Sequence, residues 1–69
     1  MKYENDNTKL ASITDLLIKN KNKDLTALDI SAKLLIGIDD VHRLLEKLIR
    51  MGVVIRSTLD GNRAWYNIR

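Results

Sequence analysis

From Thr8 onward, apolar residues recur at helical spacing. Leu10, Ile13 and Leu17, joined by Leu16 and Ile18, are separated by Lys9, Asp15 and Lys19. This is the period of an amphipathic helix rather than of a strand. Asn7 or Thr8 is the N-cap the pattern offers, since a short side-chain oxygen there accepts from an amide within the first turn. The helix is predicted to run to about Lys19 or Lys21. Beyond it, KNKNKD (residues 19–24) has no apolar residue to bury and several turn-forming side chains, and reads as a solvated loop with cations near a helix C-terminus.

Thr26 opens a second periodic segment, with Ala27, Ile30, Ala32 and Leu34. Thr26 and Asp29 form a shortened capping box, and Asp29 also complements the helix dipole. Leu35, Ile36 and Gly37 interrupt the pattern. In the third helix Val41, Leu44, Leu45, Leu48 and Ile49 make one apolar stripe, with Asp40, Arg43, Glu46, Lys47 and Arg50 off it. Gly37 is its N-cap, Asp39 and Asp40 lie in its first turn, and Gly52 ends it in the left-handed region.

After Gly52 the period changes to extended. Val53-Val54-Ile55 is β-branched and Arg56, Ser57 and Thr58 continue the run. Asp60-Gly61 is a short-range hairpin signal, and Arg63 to Ile68 returns as a second strand. Ala64, Tyr66 and Ile68 share one face of that strand, and Arg63, Trp65 and Asn67 the other. A hairpin alone is marginal in water, so it must pack on the helices. Leu25, a lone apolar residue, is placed as a third, very short strand at the hairpin's edge. Trp65 or Tyr66 is expected against the third helix, near Leu44, Leu48 or Ile49. The fold class is α+β: a polar, disordered tail over 1–7, then one domain over 8–69 of three helices and a β-hairpin.

Composition narrows the chemistry. A 69-residue chain with 45% hydrophobic and 30% charged residues suits one small folded domain, not a disordered chain. There is no Cys and one His, His42, so neither a disulfide framework nor a thiolate metal site is available. No Gly-rich phosphate loop, no nucleophile elbow and no paired acid–base constellation is present. The expectation is a non-enzyme with no cofactor, no metal and no small-molecule substrate. No apolar run approaches the roughly 20 residues that span a bilayer. The N-terminus MKYENDNTK is polar where a signal peptide is apolar, so a cytoplasmic location is expected.

The net charge is +3 and its distribution is uneven. Arg43, Arg50, Arg56, Arg63 and Arg69 all lie in the second half, whereas every Lys except Lys47 lies in the first. The planar guanidinium suits phosphates and guanine edges, so an Arg-bearing nucleic-acid face is expected from the C-terminal half.

The segment TALDISAKLLIGIDDVHRLLEKLIRMGVVIR resembles the helix-turn-helix core of winged-helix transcription regulators. Thr26 and Ala27 match the Thr-Ala that opens their second helix, Leu34 the Leu near its end, and Val41 the Val of the recognition helix. Leu45, Leu48 and Gly52 match the run before the wing. The ending DGNRAWYNIR resembles the wing of ArsR-like and MarR-like repressors, and small single-domain regulators of fimbrial operons are similar in size. Leu35 stands where the family usually has Gly, and the recognition helix opens with acids rather than bases. The Zα type of winged helix is a narrower resemblance through Trp65. Its helix Tyr would fall at Glu46, and its wing prolines are absent.

The resemblance implies a double-stranded DNA-binding regulator, sequence-specific or shape-dependent, with the third helix in the major groove and the wing on the adjacent minor groove or phosphates. The residues expected at DNA are Asp39, His42, Arg43, Glu46, Lys47, Arg50, Arg56, Asn62 and Arg63. Arg43 is placed at a base or phosphate, its competing reading being a pair with Glu46 or Asp39. Arg63 is placed at the wing tip in the minor groove, its competing reading being a pair with Asp60. Arg56 would support the same phosphate track. A second copy or a partner regulator would enlarge a single small contact surface. A protein-interaction module without DNA binding is the alternative, and a Zα-like binder of left-handed nucleic acid the lesser one.

Overall fold

The computed structural model describes residues 5–58 and 64–69; the Asp60-Gly61 turn and the wing-tip residues Asn62 and Arg63 lie outside the described residues. The chain forms α1 (Asp6–Lys19), α2 (Ala27–Leu34), α3 (Ile38–Arg50), β1 (Val54–Thr58) and β2 (Ala64–Ile68).

Helix α1 starts two residues earlier than the pattern predicts. Asn5, not Asn7 or Thr8, is the cap: its Oδ1 accepts from the Thr8 amide at 2.9 Å. Asp6 then sits in the first turn, where the helix dipole favours a carboxylate. Asp6 and Asn7 therefore belong to the helix and not to a tail. At the other end, the Asn20 side-chain amide donates to the Leu16 carbonyl at 2.8 Å, closing α1 at Lys19.

The capping box of α2 is reciprocal. The Asp29 amide donates to Thr26 Oγ1 and the Thr26 amide donates to Asp29 Oδ2, each at 3.1 Å. The helix ends at Leu35, whose φ of 57° and ψ of 41° lie in the left-handed region. This costs a residue with a Cβ roughly 1–2 kcal/mol, and Leu35 recovers little by burial because it is 74% exposed. Two bonds hold the turn: the Ile36 amide donates to the Ser31 carbonyl, and the Ser31 hydroxyl donates to the Ile36 carbonyl.

Gly37 caps α3 without a side-chain bond. At the C-terminus Gly52 takes φ 79°. The Val53 amide reaches the Leu48 carbonyl and the Gly52 amide the Ile49 carbonyl, both at 3.0 Å. That pair of bonds is the Schellman termination, and it turns the chain directly into β1.

The strands pair antiparallel, with Val54 opposite Ile68 and Thr58 opposite Ala64. Leu25 adds the expected edge bridge, its carbonyl accepting from the Tyr66 amide at 2.8 Å. The core gathers Ile13 and Leu17 from α1, Ile30 from α2, and Val41, Leu44, Leu45 and Leu48 from α3, all buried. Val54 and Tyr66 close it from the hairpin. The strand lying along α3 is β1, through Val54, whereas β2 runs beside α1 and α2. Tyr66 is the buried aromatic and joins Leu44 and Leu48 of α3 in the core, as expected, while Trp65 is half-buried. The Leu25 bridge ties β2 to the segment before α2.

Two substitutions test this packing. Leu44→Ala or Leu48→Ala empties a buried site and should cost about 2–5 kcal/mol in urea denaturation. Leu35→Gly should instead raise stability by about 1 kcal/mol, since it removes the left-handed penalty and loses almost no buried area. A Leu35→Gly midpoint equal to or below the parent's would show that this turn is not strained.

Candidate nucleic-acid interface

Because Val41, Leu44, Leu45 and Leu48 face inward, the helical period puts Asp39, His42, Arg43, Glu46, Lys47 and Arg50 on the opposite side. All six are exposed. Asp39 and Asp40 in the first turn offset the positive end of the helix dipole. The six predicted α3 residues are therefore brought together on one outer face.

Both flanks of that face are organised by ion pairs. On one side stands the first turn of α1. The Arg43 guanidinium donates to both Asp6 carboxylate oxygens, at 2.8 and 3.2 Å, and to Asp40 Oδ1 at 3.1 Å. Lys9 Nζ donates to the other Asp40 oxygen at 3.1 Å. The result is a continuous chain of alternating charge, Asp6–Arg43–Asp40–Lys9. Arg43 is thus paired, but not with Glu46 or Asp39 as the competing reading had it. Asp40 lies three residues back on the same helix, within reach, and Asp6 arrives from α1.

On the other side stands β1. Arg56 Nη1 donates to Glu46 at 2.6 Å, so Arg56 leans across to α3. The bridge pins the hairpin to the helix one turn beyond Arg43. His42 borders an open cleft between the starts of α2 and α3 and strand β2, with Leu28, Ile38 and Tyr66 on its walls.

The titration behaviour follows these contacts. The hydrogen bonds from Arg43 hold Asp6 below its ordinary carboxylate value, against the opposing effect of burial. Asp40 is lowered by the hydrogen bond from Lys9 and then by that from Arg43. Arg43 is raised by Asp6 first and Asp40 second. Arg56 is raised by the Tyr66 side chain and by Glu46. Among the described residues, no ion pair involves His42, Lys47 or Arg50.

Sequence reasoning missed Asp6 and Lys9 as neighbours of this face. No local signal marks Asp6, because its partner lies 37 residues along the chain, beyond α2. Among the described residues no group of three or more His, Cys, Asp or Glu could hold a metal ion. Among the described residues no helix is long and apolar enough to cross a membrane.

No family model matches the chain, and no curated protein matches it. Solved structures do. The ferric uptake regulator of Francisella tularensis, solved with iron, is 29% identical with a TM-score of 0.80 over 99% of this chain. The match covers 53% of that chain, so the present one spans about half its length. The apo Zα domain of zebrafish PKZ is 24% identical with a TM-score of 0.82, covering 91% of this chain and 94% of the other. A viral Zα domain bound to left-handed Z-DNA is 21% identical with a TM-score of 0.80, covering 96% and 93%. The fold is a winged helix-turn-helix, with α2 and α3 as the helix-turn-helix pair and the β1–β2 hairpin as the wing.

The ion-pair chain gives a pH expectation. Asp6 and Asp40 titrate below the ordinary carboxylate value because of the cations bonded to them. Their contribution to stability is therefore complete above the ordinary carboxylate range and is lost as pH falls through the lowered folded values. Between about pH 5 and about pH 2 the parent's melting temperature should fall more steeply than that of the Asp6→Asn, Asp40→Asn double variant. Parallel slopes would show that these carboxylates add nothing to folding.

Proposed function

We propose that this chain is a duplex-DNA-binding module of a transcription regulator, with α3 entering the major groove and the hairpin resting on the adjacent minor groove or phosphates. The observation that carries this reading is the outer face of α3. His42, Arg43, Lys47 and Arg50 lie exposed on it, and the Arg56–Glu46 bridge holds the hairpin alongside. A helix of this diameter fits the major groove, and a neighbouring ribbon meets the next stretch of backbone.

The roles within the reading differ by residue. Lys47 and Arg50 contact phosphates and set affinity. His42 and Arg43 lie nearest the start of the helix, where base edges are read. Asp39 and Glu46 cannot approach phosphate without repulsion, so they exclude sequences or accept from a cytosine amino group. Asn62 and Arg63 serve the wing tip. The regulators and nucleic-acid-bound domain among the similar structures support this class of function over an enzymatic one. A cytoplasmic location and a second copy, or a partner regulator, complete the proposal. Glu46 at the place where the Zα type has its Tyr favours right-handed duplex over left-handed.

A gel-shift titration tests it, using random, A·T-rich and left-handed CG-repeat duplexes at two salt concentrations. The expected result is retardation of the right-handed duplexes that weakens steeply with salt. Lys47→Ala and Arg50→Ala should each weaken binding on every sequence and reduce the salt slope by about one unit. A folded protein that retards no duplex would hand the fold to a protein-interaction role.

A further inference from the structure

The same contacts that organise the outer face also occupy it. Arg43 is the basic residue nearest the middle of the exposed side of α3, and its guanidinium is engaged on two carboxylates at once. Asp6 takes it as a two-bond fork, at 2.8 and 3.2 Å, and Asp40 takes a third bond at 3.1 Å. Both oxygens of Asp6 are used in this way. The other Asp40 oxygen is held by Lys9, so Asp40 cannot swing away without breaking a second pair.

A carboxylate fork and a phosphate present the same geometry to a guanidinium: two oxygens at matched spacing, both negative. Asp6 is thus bound to Arg43 as a nucleic-acid phosphate would be. The side chains of Arg43, Asp6 and Asp40 are all close to half exposed, at 52%, 47% and 41%, so the pair is open to exchange with an incoming anion.

We propose that Asp6, steadied by Asp40, is a built-in competitor for Arg43, and that the first turn of α1 lowers the affinity of the recognition helix for duplex DNA until a phosphate displaces the carboxylate. This inference rests on the DNA-binding reading above and assigns within it a residue that does not itself touch DNA. Asp6 is a positioning residue. It holds Arg43 toward α1 and sets the threshold at which DNA recruits it. Nonspecific duplex, which offers only phosphates, must displace the carboxylate for each encounter. A preferred site carries the same exchange cost, so the device lowers affinity on both kinds of DNA and leaves their ratio to the contacts Arg43 makes once released.

The test is a double-mutant cycle on duplex binding with the full chain. Asp6→Asn keeps the size of the side chain and removes its charge. It should tighten binding to random duplex by about three- to tenfold, in keeping with the strength of an exposed ion pair and the loss of one repelling charge. Arg43→Gln should erase most of that gain when combined with Asp6→Asn, because the gain comes from releasing this guanidinium. Asp15→Asn is the charge control: Asp15 lies on the same helix, paired with Lys19, and its neutralisation should change binding less than twofold. A gain from Asp6→Asn that survives in the Arg43→Gln background, or that Asp15→Asn reproduces, overturns the proposal in favour of general electrostatics. A parent that binds DNA and an Asp6→Asn variant that binds it equally also overturns it. If neither the parent nor any folded variant binds duplex, the DNA-binding reading itself fails and this inference falls with it.

Discussion

The inward packing of four aliphatic side chains on α3 is the constraint to which the rest of the molecule answers. Val41, Leu44, Leu45 and Leu48 supply the centre of the core, and each contributes on the order of 1.5–3 kcal/mol by leaving water. Helices α1 and α2 and strand β1 all have to reach this one stripe. Its position also dictates the opposite side of the helix. Once these four face inward, the residues between them at helical period have no choice but to face out. The exposed face is therefore a by-product of the most strongly determined feature of the fold.

The ion pairs around that face do a different kind of work. Each exposed pair adds at most about 1 kcal/mol to stability, too little to hold elements together that the core does not already join. What they do is fix direction. Arg56 is turned onto Glu46, so the hairpin and α3 present themselves at a set angle. Arg43 is turned onto Asp6, so the start of α1 and the recognition helix share a charge balance. Asp39 and Glu46 set against Arg43, Lys47 and Arg50 leave the outer face of α3 near-neutral. The mild net charge of the chain agrees with that.

Features closed within a few residues could be read from the sequence: the Thr26–Asp29 box, the left-handed Gly52 and the α3 stripe all depend on near neighbours. The Leu25 edge strand was also legible, because a single apolar residue between a polar loop and a cap has few other uses. The start of α1 was less so. Asn5, Asn7 and Thr8 are all competent caps, and only the bond from the Thr8 amide decides among them. The face of α3 was legible as a face, but the state of its arginines was not. The Asp6–Arg43 pair depends on how α1 crosses α3, which no spacing along the chain encodes.

The Leu25–Tyr66 bond has a consequence for how the molecule opens. The Tyr66 amide donates to a carbonyl that precedes both α2 and α3, while its side chain is 4% exposed in the core. Freeing this one proton to solvent requires the hairpin to leave the segment before α2 and the core to lose its aromatic. Local fraying at either helix end cannot achieve that. Its exchange with deuterium thus reports the parting of the hairpin from the segment before α2 rather than fraying of a helix end, and this single amide serves as a clock for that opening.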